Sequence, residues 1–373
     1  MKASFIDLAA QQNRIRSRID ANIKKVLDHG QYIMGPEVAE AEKKLAEFAG
    51  VAHCLTCASG TDALLMALMA YDVEPGDAIF TTPFTFMATA EVVSLLGATP
   101  FFVDIDPRTF NMDPAKLPAA IAKAETEGFT PRGIIPVDLF GLPADLDAVT
   151  KIAKAHGLFV LDDACQGFGG EYKGKRLGGI GDVCATSFFP AKPLGVYGDG
   201  GALFTNDAEL AAKMRSIRIH GMGPDKYDNV RIGINGRFDT LQAAILLPKL
   251  EIFPEELELR QKAADAYTAL LKDAVQLQLV PSGYKSAWAQ FSIVSPKKGA
   301  IISALNAAGI PTAVYYPIPL HLQQAYQYLG GRAGDFPVCE GIAKSIFAVP
   351  MHPYLEGDLI GEIASLILKA ARA

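Results

Sequence analysis

Between residues 50 and 210, short apolar runs alternate with amphipathic stretches of helical period: HCLTC, ALLMALMA, AIFTTP, ATAEVVSLL, TPFFVDID, PAKLPAAIAKAE, GIIPVDLF, DLDAVTKIAKAHG and LFVLDDA. Such alternation predicts parallel strands joined by crossover helices, because a parallel pair needs a connection long enough to return over the sheet. The strand candidates are rich in Val, Ile, Leu and Phe at successive positions, so helices are expected on both faces. The expected fold class is α/β, with a large domain built on a mostly parallel central sheet.

At 373 residues the chain exceeds one ordinary domain. The helical pattern TLQAAILLPKLEIFPEELELRQKAADAYTALL, interrupted by Pro248 and Pro254, reads as a connector to a second lobe. In that lobe QFSIVS reads as a strand, AIISALNAAGI as a helix and PTAVYYPIPL as an extended segment. We expect a large domain over residues 1–250 and a smaller C-terminal α+β domain over 251–373.

A formal charge of −6 provides no general attraction for nucleic acid or anionic lipid, and neither is an expected partner. The opening MKASFIDLAAQQNRIRSRID lacks the unbroken apolar stretch of a signal peptide, and no segment reaches transmembrane length. Five scattered cysteines argue against a disulfide framework and fit a reducing compartment, so a cytoplasmic location is expected. Cys54 and Cys57 form a CxxC, but without a second pair or a neighbouring His; buried structural roles are expected, and no metal.

Three segments carry chemistry. In LFVLDDACQGFGG an apolar strand runs into Asp162 and Asp163, at the strand end where ligands of open α/β sheets bind; either acid could face a ligand or cap the next turn. In TSFFPAKPLGVYGDGG, Lys192 stands among Phe188, Phe189, Pro190, Pro193 and Leu194, where desolvation favours a neutral, nucleophilic amine. In ASGTDALLMALMA a Ser-Gly-Thr step opens an apolar helix whose first N–H groups suit a phosphate or serve only as an N-cap. Together they match what pyridoxal phosphate needs: an imine-forming lysine, an acid for the pyridine nitrogen and a phosphate cradle. The clusters LGGIGD and GVYGDGGA do not open helices and so do not match a dinucleotide fingerprint.

At this point the chain resembles the DegT/DnrJ/EryC1/StrS sugar aminotransferases, of fold type I among pyridoxal-phosphate enzymes. YIMGPEV, ASGTDALLMAL, TTPFTFMATAE, FFVDIDPRTFNMDP, LDDACQGFGGEYKGKRLG, SFFPAKPLGVYGDGGALFTND, GINGRFDTLQAAIL, YYPIPLH and VPMHPYL carry the resemblance over nearly the whole length. It implies that Lys192 holds pyridoxal 5'-phosphate as a Schiff base and shuttles the proton, and that Asp163 pairs with the ring nitrogen. It also implies that Gln166 contacts the ring hydroxyl, that Phe86 stacks on the ring, and that Gly60, Thr61 and Ser187 hold the phosphate. Asn235 resembles the residue that reaches a neighbouring subunit's phosphate, which implies a homodimer with shared active sites.

The resemblance further implies amino transfer from L-glutamate to a nucleotide-linked keto sugar. GQYIMGPEV, DTLQAAILLPKLEIF, PTAVYYPIPL and PMHPYL look most like the members that aminate C3 of a UDP-linked 2-acetamido-3-oxo glucuronate for bacterial O-antigen. In those, the positions of Tyr315 and Asp138 are commonly His. Glutamate and a uronate both carry carboxylates, and Arg237 is the candidate to bind them or else a structural ion-pair partner. Tyr315, Tyr316 and His321 are candidate sugar contacts. A dTDP-linked 3-oxo-6-deoxyhexose as substrate, or a non-catalytic binding protein on this fold, are the alternatives.

Overall fold

The computed structural model describes residues 3–225 and 227–372. Two helices lead in, α1 (Leu8–His29) and α2 (Pro36–Ala49), each ended by a glycine with positive φ, Gly30 and Gly50. The central layer follows through β1 (His53–Cys57), α3 (Gly60–Ala70), β2 (Asp77–Thr81), α4 (Ala88–Leu95), β3 (Thr99–Phe102), α5 (Leu117–Thr126), β4 (Thr130–Ile134), α6 (Leu146–His156) and β5 (Phe159–Asp163). A hairpin of β6 (Glu171–Tyr172) and β7 (Lys175–Arg176) precedes β8 (Val183–Ser187), β9 (Gly201–Thr205) and α7 (Ala208–Ile217).

Among the described residues, seven strands form one sheet in the order β1-β9-β8-β5-β4-β2-β3, and all pairings from β8 to β3 are parallel. The mostly parallel α/β sheet is as expected, with one difference: β9 runs antiparallel to both β1 and β8. Segment 188–200 between β8 and β9 contains no helix, so the chain turns back instead of crossing over. The strand expected in GIIPVDLF ends early, at Ile134, and beyond it only Val137 bridges to Asp163.

Helices cover both faces. Val38, Ala41 and Leu45 of α2 pack with Phe204 and Leu246 on one side, while Ala63, Leu64 and Ala67 of α3 pack with Leu161, Ala185 and Leu203 on the other. Each large apolar side chain so buried contributes roughly 1.5–3 kcal/mol. α8 (Thr240–Leu271) is one continuous helix with Pro248 and Pro254 inside it, where an interruption was expected. Buried side chains along its whole length, from Thr240 through Phe253 to Leu271, outweigh the backbone hydrogen bonds that the prolines remove. Beyond it come β10 (Gln276–Leu277), β11 (Tyr284–Lys285), β12 (Phe291–Val294), α9 (Lys298–Ala307), α10 (Pro337–Ser345), β13 (Ile346–Val349) and α11 (Gly357–Arg372). The sheet β10-β12-β13 packs through Ile293 and Phe347 against Ile301 of α9 and Ile363 of α11. PTAVYYPIPL is extended and joined to β13 by a bridge from Ala313 to Ala348.

One buried charge stands out in α8. Lys249 is fully buried, its Nζ has no hydrogen-bond partner and lies 4.1 Å from the Tyr197 ring centroid. Burial pushes its pKa down to about 8, with Glu256 opposing. The unfolded chain therefore binds more protons than the fold between about pH 8 and 10.5, and stability rises with pH across that window. Lys249→Met removes this dependence and stabilises the protein at pH 7 by roughly 1–3 kcal/mol. Urea unfolding of both proteins at neutral and alkaline pH checks it.

Candidate active site

The site begins where β5 ends. Asp163 is 4% exposed; its Oδ2 accepts from Thr89 Oγ1 (2.8 Å) and its Oδ1 from the Cys165 N–H (3.2 Å). Thr89 stands in the first turn of α4 and also contacts Thr85 Oγ1 at 3.0 Å. Sequence reasoning missed Thr89; its only signal is a hydroxyl in the otherwise apolar start of that helix. Of the two acids at the strand end, Asp163 has this donor set. Asp162, on the opposite face of the strand, is fully buried with neither oxygen hydrogen-bonded.

Gln166 lies in the turn after β5. Its Oε1 accepts from the Phe140 N–H (2.8 Å) and its Nε2 donates to Tyr316 Oη (3.0 Å), which leaves one Nε2 hydrogen for a ligand. Burial raises the Tyr316 phenol pKa, keeping it neutral. The Tyr316 ring lies 6.3 Å from that of Phe86 and edge-on to Phe84. Phe86 itself is 56% exposed, a large apolar ring left open to solvent next to Tyr316. Tyr316 thus belongs with Asp163, Gln166 and Phe86, while Tyr315 packs between Tyr316 and Phe5 one step away.

Next to this cluster α3 begins. The Ser59 side chain accepts from the Asp62 N–H and its carbonyl from the Ala63 N–H, which leaves the Gly60 and Thr61 N–H groups without intrahelical partners. A Cβ on Gly60 would lie 2.7 Å from Ser187 Cβ and 2.9 Å from Cys165 Sγ, so only glycine lets α3 meet the ends of β8 and β5 this closely. Gly60→Ala should displace Ser187 and weaken cofactor binding roughly tenfold or more, as overpacking does. A titration of cofactor into the apo protein measures this.

Lys192 follows β8, its N–H donating to the Phe189 carbonyl (2.9 Å). The expected apolar enclosure is partial: Phe188, Pro193 and Leu194 are buried, but Phe189 is exposed and Lys192 half-buried in the turn that follows β8. Cys165 joins the acid to the cradle, its N–H bonded to Asp163 and its Sγ against Gly60; burial raises its thiol pKa, followed by the charge of Asp163, while the charge of Lys192 lowers it. Burial likewise raises the thiol pKa values of Cys54 and Cys57 in β1.

Asn235 is exposed on the segment whose next residue, Gly236, accepts from the Ala58 N–H just before α3 (3.0 Å). Arg237 forms no ion pair among the described residues, and its Nε is buried without a partner. His321 is placed elsewhere: its Nε2 lies 3.1 Å from Glu340, its ring packs on Phe336, and none of its hydrogen bonds or ring contacts reaches Asp163, Gln166 or Tyr316. It lines a separate cleft of about 840 Å³ between β3, α5 and residues 328–337.

The arrangement is shared with known proteins. The model of the DegT/DnrJ/EryC1/StrS aminotransferase family matches residues 13–368. A Pseudomonas aeruginosa protein named UDP-2-acetamido-2-deoxy-3-oxo-D-glucuronate aminotransferase is 51% identical over 355 residues, 94% of this chain and 96% of that one. A crystal structure of a DegT/DnrJ/EryC1/StrS aminotransferase from Brucella abortus superposes with a TM-score of 0.96 at 52% identity, covering 98% of both chains. The Bacillus subtilis protein NtdA, solved with bound cofactor PMP, superposes with a TM-score of 0.88 at 29% identity, over 97% of this chain and 83% of that one. With a family match over nearly its full length and half its residues shared with a named member, the chain belongs to the DegT/DnrJ/EryC1/StrS aminotransferase family.

Proposed function

We propose that the protein is a pyridoxal-phosphate-dependent aminotransferase that moves an amino group from L-glutamate to the C3 keto group of UDP-2-acetamido-2-deoxy-3-oxo-glucuronate, for bacterial surface polysaccharide synthesis. The observation that carries this reading is Asp163, a buried carboxylate held by two donors on the same sheet edge as the open start of α3.

The residues fit the cofactor. Gly60 and Thr61 offer free N–H groups at a helix N-terminus, and the absent Cβ of Gly60 lets Ser187 pack beside them, a cradle suited to phosphate. Asp163 would hold a protonated ring nitrogen, Gln166 the ring hydroxyl through its remaining Nε2 hydrogen, and Phe86 one ring face. Bound pyridoxal phosphate supplies an electron sink for the carbon that carries the transferred amine. Lys192 would carry the cofactor and, once displaced by the incoming amine, take and return the proton at that carbon. The Thr89 hydroxyl and the Cys165 N–H fix the orientation of the Asp163 carboxyl group, so it is in position before the reaction begins.

The choice of sugar is supported by the name of the Pseudomonas aeruginosa relative and by Arg237, whose unpaired guanidinium suits the carboxylate that glutamate and a uronate share. Tyr316, half-buried next to Gln166 and Phe86, and Tyr315, half-buried beside it, are the candidate sugar contacts in this reading. A homodimer with shared sites is part of the reading. Tyr32, Ile33, Met34, Val230 and Ile232 are exposed, and Ile33 is bridged to Asp239 near the exposed Asn235. A cytoplasmic location is supported by five free cysteines. Among the described residues no helix is long and apolar enough to cross a membrane.

Purified protein given L-glutamate and either the UDP-linked uronate or a dTDP-linked 3-oxo-6-deoxyhexose tests this, with products identified by mass spectrometry. The expected result is 2-oxoglutarate together with an aminated uronate. Equal amination of the deoxyhexose overturns the sugar assignment, and absence of 2-oxoglutarate overturns the donor.

A further inference from the structure

Behind Asp163 lie two carboxyl groups that the reaction does not use. Asp138 and Asp162 are both fully buried. Asp162 precedes Asp163 on β5 and faces the other side of the strand. Asp138 lies in the loop after β4, where its N–H donates to the Asp163 carbonyl (3.1 Å) and its Oδ1 accepts from the Ala144 N–H (2.8 Å). The bridge from Val137 to Asp163 puts Asp138 and Asp162 on the same face, where each shifts the other's titration, and no N–H or O–H donor reaches Asp138 Oδ2 or either Asp162 oxygen.

The titratable groups facing the pair are Asp163, across the β5 backbone, and the Cys184 thiol of β8; neither is a cation. Two adjacent buried anions without a counter-charge are strongly disfavoured, whereas one proton between them removes a charge and satisfies an acceptor. Burial raises both carboxyl pKa values, and the neighbouring acids raise them further. The geometry also links the pair to the site. A Cβ on Gly167 would come within 2.4 Å of Asp138 Cβ, so the turn carrying Gln166 presses on Asp138. Gln166 in turn holds the Phe140 N–H of the same loop.

We propose that Asp138 and Asp162 share a proton at neutral pH, and that this acid pair clamps loop 135–141 to β5 and so positions Asp163 and Gln166. Only its functional half rests on the reading of those two residues as cofactor contacts. Asp138→Asn replaces the shared proton by an amide hydrogen bond to Asp162, and Asp138→Ala removes both.

Infrared spectra of cofactor-free protein at neutral pH should show a protonated-carboxyl band that Asp138→Asn lacks. Between about pH 5 and 8 the wild-type fold keeps a proton that the unfolded chain releases, so its stability falls as pH rises. In Asp138→Asn the unfolding constant should change less steeply, by up to about tenfold per pH unit. Asp138→Asn should bind cofactor within about threefold of wild type and Asp138→Ala at least about tenfold more weakly, as a lost buried hydrogen bond implies. If Asp138→Ala does not fold, Asp162→Asn, which should also abolish the band, takes its place in the spectra and pH series. A wild type without the band, or a band and pH slope unchanged in the two amide variants, overturns the shared proton. A band that behaves as expected with unchanged cofactor binding in Asp138→Ala overturns the positioning role. Failure of wild type to bind cofactor would instead count against the proposed function, since the infrared and unfolding measurements need none.

Discussion

Lys192→Ala is expected to lower turnover by at least roughly three orders of magnitude, because it removes the amine that takes and returns the substrate proton. The fold should be unchanged, since Lys192 is half-buried and its backbone hydrogen bond to Phe189 does not involve the side chain. Cofactor should still bind through Gly60, Thr61, Ser187, Asp163 and Gln166, without the visible band of the lysine-linked form. Steady-state rates, thermal melting and an absorbance scan of the reconstituted variant check the three parts together. Activity within tenfold of wild type would remove Lys192 from the chemistry.

Asp163→Ala is expected to reduce kcat by roughly two to four orders of magnitude, a range typical of groups that stabilise developing charge or move protons. The substitution leaves the Thr89 hydroxyl and the Cys165 N–H without their acceptor in a buried site. Asp163→Asn keeps the shape but not the charge, so it should fall with Asp163→Ala and not with wild type. Thr89→Val, which leaves the charge and removes one donor, should sit between them, about tenfold down, the loss expected for one hydrogen bond to a charged group. Single-turnover rates with L-glutamate separate these cases, and equal rates for Asp163→Asn and wild type would exclude a role for the carboxylate charge.

Parts of this architecture were readable because local pattern and tertiary position coincide. An apolar run ending in Asp163 marks a strand end, a Ser-Gly-Thr step marks the start of α3, and both stay true in the folded chain. Thr89 was not readable, since it reaches Asp163 from a helix seventy-four residues earlier and nothing in its own segment points there. The same holds for Asp138, visible in the sequence only as an unusual residue in PVDLFG; its partner Asp162 becomes apparent once loop 135–141 is seen against β5.

Other expectations shifted where tertiary packing outweighed local signals. Pro248 and Pro254 read as interruptions, yet α8 passes through both because its flanks are buried. The alternation read from the sequence ends at β5, and the helix-free segment 188–200, which returns β9 antiparallel to β8, lies beyond it. His321 was a candidate sugar contact together with Tyr315 and Tyr316, and its own segment does not announce its partner. A short 3-10 turn at Leu320–Leu322 sets it against Glu340, nineteen residues on.

The most direct test of the central claim is to reconstitute the protein with pyridoxal phosphate, reduce it with borohydride and find the labelled peptide by mass spectrometry. The account predicts one pyridoxyl group per chain, on Lys192, lost when L-glutamate is added before reduction. Labelling of another lysine, such as the buried Lys249, or no labelling of any, would contradict it.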